Sequence, residues 1–411
     1  MRAVERPGMG FGEFTGRWAE SLRKAWDELP ESRRAELARV LGVLPVDLMR
    51  WRRLVEEAAA HLHLAAADRR TVAIVGPANA GKSTLYNQLI RASEARAAVS
   101  AVPGTTRQAQ AADAGIFTLI DTPGADAAGA VGLEEKTRAL QAARQADFLL
   151  VLFDAAHGIR PPERALLEEL TALERPAIVA LNKIDLVHRE RPAVLGRAAA
   201  DLGLPVEQLI PLSAKTGEGI ERLLTAVAKS EPGILAALGQ ALPGYRRIFA
   251  RAAIGRAAST AAAIAVTPLP IMDFVPLIAV QSAMVLGLAR IYAYRLTPAR
   301  ARELLVTFGI GLLARNLFYE LMRLGGPPGW LVAAAVAAGT TTALGYGAQA
   351  WFERGERLSR DRLASLSRQV GERVARDLTS LGRRRPGRIT IEQRVEKTLA
   401  QESEESPAAT T

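Results

Sequence analysis

The feature that most limits what this chain can fold into is a glycine-containing loop between a predicted strand and a predicted helix. The apolar run 71–75 leads directly into residues 76–83, GPANAGKS, which fit the pattern G-x4-G-K-[S/T]. The two glycines let the backbone close around a phosphate, while the loop N–H groups and the helix N-terminus present positive partial charge to it. Lys82 can reach β- and γ-phosphate oxygens, and Ser83 can ligate Mg²⁺. The pattern predicts an α/β domain that binds a nucleotide through its phosphates.

The regions around this loop show where that domain begins and ends. Short runs rich in Val, Ile and Leu alternate with helical patterns, which predicts an α/β fold with a mostly parallel sheet. The predicted strands are 71–75, 116–120, 148–153, 177–181 and 209–212. We divide the chain into an N-terminal helical region (1–69), this α/β domain (70–230), an apolar helical domain (231–352), a charged helical segment (353–400) and a disordered tail (401–411).

Two further motifs suit a triphosphate and its metal ion. The sequence VPGTTRQ at 102–108 forms a loop that can fold over the nucleotide, and Thr105 or Thr106 can ligate Mg²⁺ and sense the γ-phosphate. The motif DTPG at 121–124 ends a predicted strand. Asp121 can hold Mg²⁺ through a water molecule, and the Gly124 amide can meet the γ-phosphate.

The last two motifs select the base. In NKID, at 182–185, the Asp185 carboxylate can accept hydrogen bonds from the N1–H and the 2-amino group of guanine. Adenine has neither donor in that place, so a buried carboxylate without a partner would penalise ATP. In SAK, at 213–215, the Ala214 amide can donate to guanine O6. The motifs therefore predict GTP and GDP as ligands.

These motifs, in this order, resemble those of Era-like GTPases of the translation-factor-related class (TrmE-Era-EngA type), over residues 70–230. The resemblance implies a Ras-like P-loop GTPase domain with a mixed, mostly parallel sheet, Mg²⁺ binding and slow hydrolysis. It gives Lys82, Thr106 and Gly124 catalytic roles, and Ser83, Thr106 and Asp121 as the Mg²⁺ set. The nucleotide-binding residues that it implies are Gly76, Pro77, Ala78, Asn79, Ala80, Gly81, Lys82, Ser83, Thr84, Asp121, Gly124, Asn182, Lys183, Asp185, Ser213, Ala214 and Lys215.

Two positions bear on how the attacking water is held. Ala125 stands where Ras-type enzymes have a glutamine that orients this water, so the backbone, a K⁺ ion, an inserted residue or a partner must do so instead. Some Era-like relatives use an asparagine at the position of Asn79 to bind K⁺. We therefore expect K⁺-stimulated hydrolysis; the alternative is that Asn79 only shapes the loop through its own hydrogen bonds.

The C-terminal half contains long apolar stretches at 257–289 and 324–352, flanked by arginines. Its motifs PLPIMDFVPLIAVQSAMVLGLARIYAYRL and TTALGYGAQAWFERG resemble the YcjF-type membrane-associated domain of unknown function. The resemblance implies a bacterial GTPase on the cytoplasmic side of the inner membrane. From length and composition alone, three states stay open: spanning or re-entrant helices, peripheral attachment, and a soluble helical bundle.

Charge and residue usage restrict the function further. The formal charge of +10 over 411 residues favours an acidic partner, and the lack of cysteine excludes thiolate nucleophiles and zinc–thiolate sites. The leading interpretation is a membrane-associated GTPase switch; the alternatives are an RNA- or ribosome-associated GTPase and a dynamin-like remodelling scaffold. For Asp154, His157 and Asp273 we favour capping of loops or helices over a role in catalysis or partner contact. The basic patch 382–388 could contact anionic lipid, RNA or only solvent.

Overall fold

The computed structural model describes residues 70–100, 116–122, 130–187, 189–266, 274–294, 329–356, 358–381 and 386–405. Several predictions fall outside these ranges: the N-terminal helical region, the loop with Thr105 and Thr106, the pair Gly124 and Ala125, Asp273, and most of the basic patch. All of the described residues belong to one compact unit.

A five-stranded parallel sheet forms the centre of the N-terminal part of this unit. The strand order is β2-β1-β3-β4-β5, and each neighbouring pair is parallel. The strands are β1 (Val72–Pro77), β2 (Phe117–Thr122), β3 (Phe148–Asp154), β4 (Ala177–Asn182) and β5 (Leu209–Pro211). They lie within two residues of the predicted runs, which confirms the α/β fold and the mostly parallel sheet.

Helices cover both faces of the sheet, which is why the strands are continuous apolar runs and do not alternate with polar residues. They are α1 (Lys82–Ser100), α2 (Ala130–Gln145), α3 (Pro161–Thr171), α4 (Arg191–Leu202) and α5 (Ile220–Ser230). Val72 and Ile74 pack with α1 and α5 on one face, whereas Ala73 and Val75 pack with α2, α3 and α4 on the other.

Six further helices follow in the described C-terminal part. They are α6 (Leu235–Ala241), α7 (Arg246–Ala265), α8 (Phe274–Ile291), α9 (Gly329–Arg354), α10 (Arg360–Thr379) and α11 (Arg388–Glu405). The short α6 lies between Pro232 and Pro243. Helix α11 continues to Glu405, so the disorder predicted from residue 401 begins too early: residues 401–405 extend a helix that packs on the bundle.

The sheet and the C-terminal helices share one hydrophobic core. The cluster that contains Val72 and Ile74 continues through α5 and α6 to Tyr245 and Phe249, and on to Leu344 of α9. Tyr245 is 2% exposed and Phe249 fully buried. At the division predicted between residues 230 and 231, the structure therefore changes from α/β to all-helical while the hydrophobic core continues.

Two described helices, Pro243–Ala265 and Gly329–Arg354, have the length and composition to cross a membrane. Of the 18-residue apolar stretch in each helix, 61% is buried inside the protein in the first and 89% in the second. Helix α10 lies against α9 so closely that a Cβ added at Gly339 would stand 2.3 Å from the Ser367 carbonyl oxygen. Helix α10 carries charged side chains such as Arg373 and Asp377, so the neighbour of α9 on this side is a polar protein helix. In this structure α9 is therefore the central helix of a protein bundle.

Candidate nucleotide-binding site

The phosphate-binding loop has the backbone that its sequence predicts. Gly81 has φ +93° and Asn79 has φ +63°, so both are left-handed. A Cβ added at Gly76 would stand 2.2 Å from a carbonyl oxygen of β3, which only glycine avoids. The buried Lys82 folds over the loop, and its Nζ donates to the carbonyl oxygens of Gly76 and Pro77 at 2.7 Å each. The ammonium group is thus held against the backbone of the loop.

The residues available for a metal ion suit Mg²⁺. Ser83 and Thr84 are exposed in the first turn of α1, and Asp121 lies beside Gly76 in the β1–β2 register. The described residues contain no group of three His, Cys, Asp or Glu side chains that could hold a metal. The exposed hydroxyl oxygens of Ser83 and Thr84 are of a ligand type that Mg²⁺ accepts.

Asn182, at the end of β4, links three of the predicted motifs. Its Nδ2 donates to the Ala80 carbonyl oxygen in the P-loop, and its Oδ1 accepts from the Ala214 amide in SAK, both at 2.8 Å. A Cβ on Gly81 would stand 2.3 Å from Asn182 Nδ2. The predicted bond from Ala214 to guanine O6 stays a prediction, and O6 would have to share this amide with Asn182.

Asp185 carries an unsatisfied acceptor at the base end of the site. Its Oδ1 is buried and has no hydrogen-bond partner among the described residues. It belongs to the short 3-10 turn Ile184–Leu186 that follows β4. A buried carboxylate oxygen without a donor is costly, and the N1–H and 2-amino donors of guanine would satisfy it.

Sequence reasoning missed an ion pair beside the base-binding motif. Lys183 Nζ donates to Asp154 Oδ2 at 2.6 Å, and His157 Nδ1 lies 2.8 Å from the same oxygen. Burial raises the pKa of Asp154, but hydrogen bonds from Lys183, the Ala156 amide and His157 outweigh it and hold the pKa below its ordinary value. The Ala156 bond to Asp154 Oδ1 confirms the expected loop capping. One sequence feature could have indicated this ion pair: Asp154 ends β3, and Lys183 directly follows β4, the strand beside it.

Two family models and several known GTPases match parts of this chain. Residues 71–183 match a family model described as a 50S ribosome-binding GTPase, and residues 233–377 match a domain of unknown function, DUF697. GTPase Der of Azorhizobium caulinodans is 38% identical over 168 residues, and GTPase Era of Mesorhizobium japonicum is 37% identical over 169 residues. Residues 71–183 are therefore similar to the GTPase domains of Era and Der. These residues are followed by DUF697, whose match extends through most of α10, beyond the division predicted at residue 352.

The similarity to these relatives covers part of each protein. It takes in 39% of this chain in both cases, 36% of Der and 53% of Era, so the chain spans between about a third and a half of their length. In a crystal structure of a point variant of Aquifex aeolicus Era bound to GDP·AlF4⁻, 58% of that chain aligns with 40% of this one. The TM-score of that alignment is 0.30 and the sequence identity is 23%.

Proposed function

We propose that the protein binds GTP with Mg²⁺ and hydrolyses it to GDP and phosphate as a slow, regulated switch. The observation that carries this proposal is the joining of the P-loop and the SAK loop by Asn182, which ends the strand that leads to Asp185. These bonds support our proposal that phosphate binding and base selection occur in one site. Lys82 and the loop amides neutralise charge on the transferred phosphoryl group, and hydrolysis needs no covalent intermediate.

When bound, Mg²⁺ would neutralise negative charge on the phosphate groups. The exposed Ser83 hydroxyl is positioned to be one of its ligands, with Thr106 and Asp121 as the further ligands that we propose. Asn79 is exposed in the P-loop, and we assign it to a K⁺ ion that supports hydrolysis in place of a glutamine at Ala125. Equal hydrolysis rates in K⁺ and Na⁺ salts would reject the K⁺ assignment and leave the rest of the site unaffected.

Asp185→Asn tests base selection with a defined gain of function. The asparagine offers an N–H donor where the aspartate offered an acceptor, so it repels the guanine 2-amino group and donates to the 2-oxo group of xanthine. We expect the variant to lose GTP binding by at least about a hundredfold and to prefer XTP, as measured by nucleotide titration. A variant that keeps the wild-type preference for GTP over XTP would contradict the assignment.

We propose that the nucleotide state is coupled to the C-terminal helices through α1. This helix begins at Lys82, and its middle packs on the turn before α7. The Gly244 amide donates to Ser93 Oγ at 3.1 Å, and the Arg96 guanidinium lies 4.7 Å from the centre of the Tyr245 ring. Ser93 is 1% exposed. A shift of α1 on nucleotide exchange would therefore reach α7 directly.

Hydrogen exchange of α7 in the GDP form and in the form with a non-hydrolysable GTP analogue tests this coupling. We expect α7 protection to differ between the two forms, and Ser93→Ala to reduce that difference. Ser365→Ala is the matched control, because Ser365 is exposed on α10 and bonds only within its own helix. Identical α7 protection in both nucleotide forms of the wild-type protein would refute the coupling.

We further propose that the protein associates with the cytoplasmic face of the bacterial inner membrane. The support is the pair of long apolar helices and the arginines along the first of them, including the exposed Arg256. Because charged α10 lies along α9, we place the intact bundle at the membrane surface and do not propose that α9 spans the bilayer. Phospholipid or a membrane protein would be the partner.

Cell fractionation of the full-length protein tests this location. We expect it to pellet with membranes and to be released by high salt or alkaline carbonate. Resistance to both washes would show embedded helices, and absence from the membrane pellet would contradict membrane association altogether.

A second candidate function is action on the ribosome, which the description of the matched family model favours. Co-sedimentation of the protein with ribosomal subunits, sensitive to salt, would support it. The dynamin-like alternative instead requires GTP-dependent oligomers on liposomes.

A further inference from the structure

A small cavity lies where α6, α7 and α8 meet. Its volume is about 40 Å³. At about 10–15 Å³ for each water-sized group, this is room for roughly three such groups. The described residues that line it come from all three helices and from the turn before α6; among them are Leu235, Ala253 and Met284. The cavity is therefore a gap between packed helices of the C-terminal part.

Small side chains leave this gap open. Where α7 and α8 line the cavity, they do so largely through Ala253, Ala257, Ala283 and Gly287. A Cβ added at Gly287 would meet no atom within 4 Å, so that position faces open space. Protein interiors are close-packed as a rule, and the walls of a void lose the contacts that atoms in the void would make. A small apolar occupant would restore those contacts.

The lining carries one charged group. Of the described residues that line the cavity, Arg256 alone has a polar side chain. Water would find few hydrogen-bond partners on such walls, and apolar cavities take up apolar molecules instead. Arg256 is exposed, and its side chain makes no hydrogen bond or ion pair with another described residue. The acidic residue beside the lining in the sequence, Glu231, accepts from the Gly233 amide at 3.1 Å. A guanidinium group with no acceptor among the described residues therefore stands beside an apolar space.

We propose that this cavity binds a short-chain aliphatic carboxylate. About three or four carbons of the chain would lie against the apolar walls. The carboxylate would pair with the Arg256 guanidinium, whose planar donors match two carboxylate oxygens. Acetate or phosphate would leave the walls bare, and a long acyl chain would exceed the volume. Ligand binding here goes beyond the GTPase function: it uses no residue of the nucleotide site and does not depend on membrane attachment.

Ligand-observed NMR titration of the full-length protein tests this site, with GDP present to fill the P-loop. The probes are the sodium salts of acetate, butanoate, pentanoate and octanoate. Gly287→Leu fills the cavity, and Gly255→Leu is its matched control, because Gly255 also faces open space and does not line the cavity. Arg256→Gln removes the exposed charge without disturbing the core. Its control is Arg251→Gln, on the same helix and outside the lining.

Each buried methylene group should tighten binding about fourfold, so affinity should rise from acetate to pentanoate and gain nothing further at octanoate. Gly287→Leu should remove this dependence on chain length, and Arg256→Gln should weaken pentanoate binding about tenfold. Both controls should stay within about twofold of the wild-type protein. No binding, or equal affinity for acetate and pentanoate, would overturn the proposal. So would equal losses in Arg256→Gln and Arg251→Gln, or a continued rise to octanoate, which would indicate a lipid chain.

Discussion

Asn182→Ala removes the side chain that ties the loops of the nucleotide site together. Asn182 is 2% exposed, and its two hydrogen bonds, to the Ala80 carbonyl oxygen and from the Ala214 amide, are both 2.8 Å long. Truncation leaves these two backbone groups buried without a partner. At about 1–3 kcal/mol for each of the two unsatisfied groups, the free energy of unfolding should fall by about 2–6 kcal/mol. Domains are stable by only about 5–15 kcal/mol, so the loss is large.

Urea unfolding of the nucleotide-free protein measures this loss, and GDP dissociation measures its effect on the site. We expect Asn182→Ala to shift the unfolding midpoint strongly and to release GDP faster, because the P-loop and the SAK loop lose their link. Gln208→Ala is the control: it truncates an exposed amide side chain and should change stability by less than about 0.5 kcal/mol. If Asn182→Ala matched this control in both stability and GDP release, the reasoning would be refuted.

Three more predictions concern stability and the P-loop. Asp154→Asn weakens the ion pair with Lys183 and should lower the free energy of unfolding in urea. Because the fold lowers the pKa of Asp154, the wild-type protein should exceed the variant in stability fully at neutral pH, and by less as the pH falls below about 4; a stability difference that does not change with pH would contradict this. Gly339→Ala should lower the midpoint of thermal unfolding, because the added methyl group would push α9 away from α10. Gly255→Ala is the control: a Cβ there meets open space, so the change should be neutral or slightly stabilising. Equal effects of the two substitutions would count against the close packing of α9 and α10. Gly81→Ala should abolish GDP binding because of its positive φ, and retained binding would disprove that constraint.

The strands and the ends at which the motifs lie were predictable from the sequence. Strands β1 and β4 are nearly continuous buried runs that each end in a motif residue, and such runs are typical of sheets covered on both faces. The ion pair of Lys183 with Asp154 was not predictable in this way. It depends on the register that places Asp154 opposite Asn182, and register is a property of the assembled sheet.

The apolar helices show a different limit of sequence reasoning. Hydropathy reports that a helix avoids water, and it does not say whether lipid or protein replaces the water. The surroundings of α9 are given by α10, whose Leu366, Val370, Val374 and Leu378 recur at helical spacing and pack on the bundle. The four apolar residues of α10 thus indicate, in the sequence itself, a helix that could cover the apolar surface of α9.

We propose that this chain selects and hydrolyses guanine nucleotide in the site built around Asn182 and Asp185. A single-turnover assay of the full-length protein with Mg²⁺, following release of the γ-phosphate from GTP and from ATP, tests it most directly. We expect slow release of phosphate from GTP and essentially none from ATP, because ATP leaves the buried Asp185 oxygen unpaired. Equal release from both nucleotides, or no release from GTP in either K⁺ or Na⁺, would contradict it.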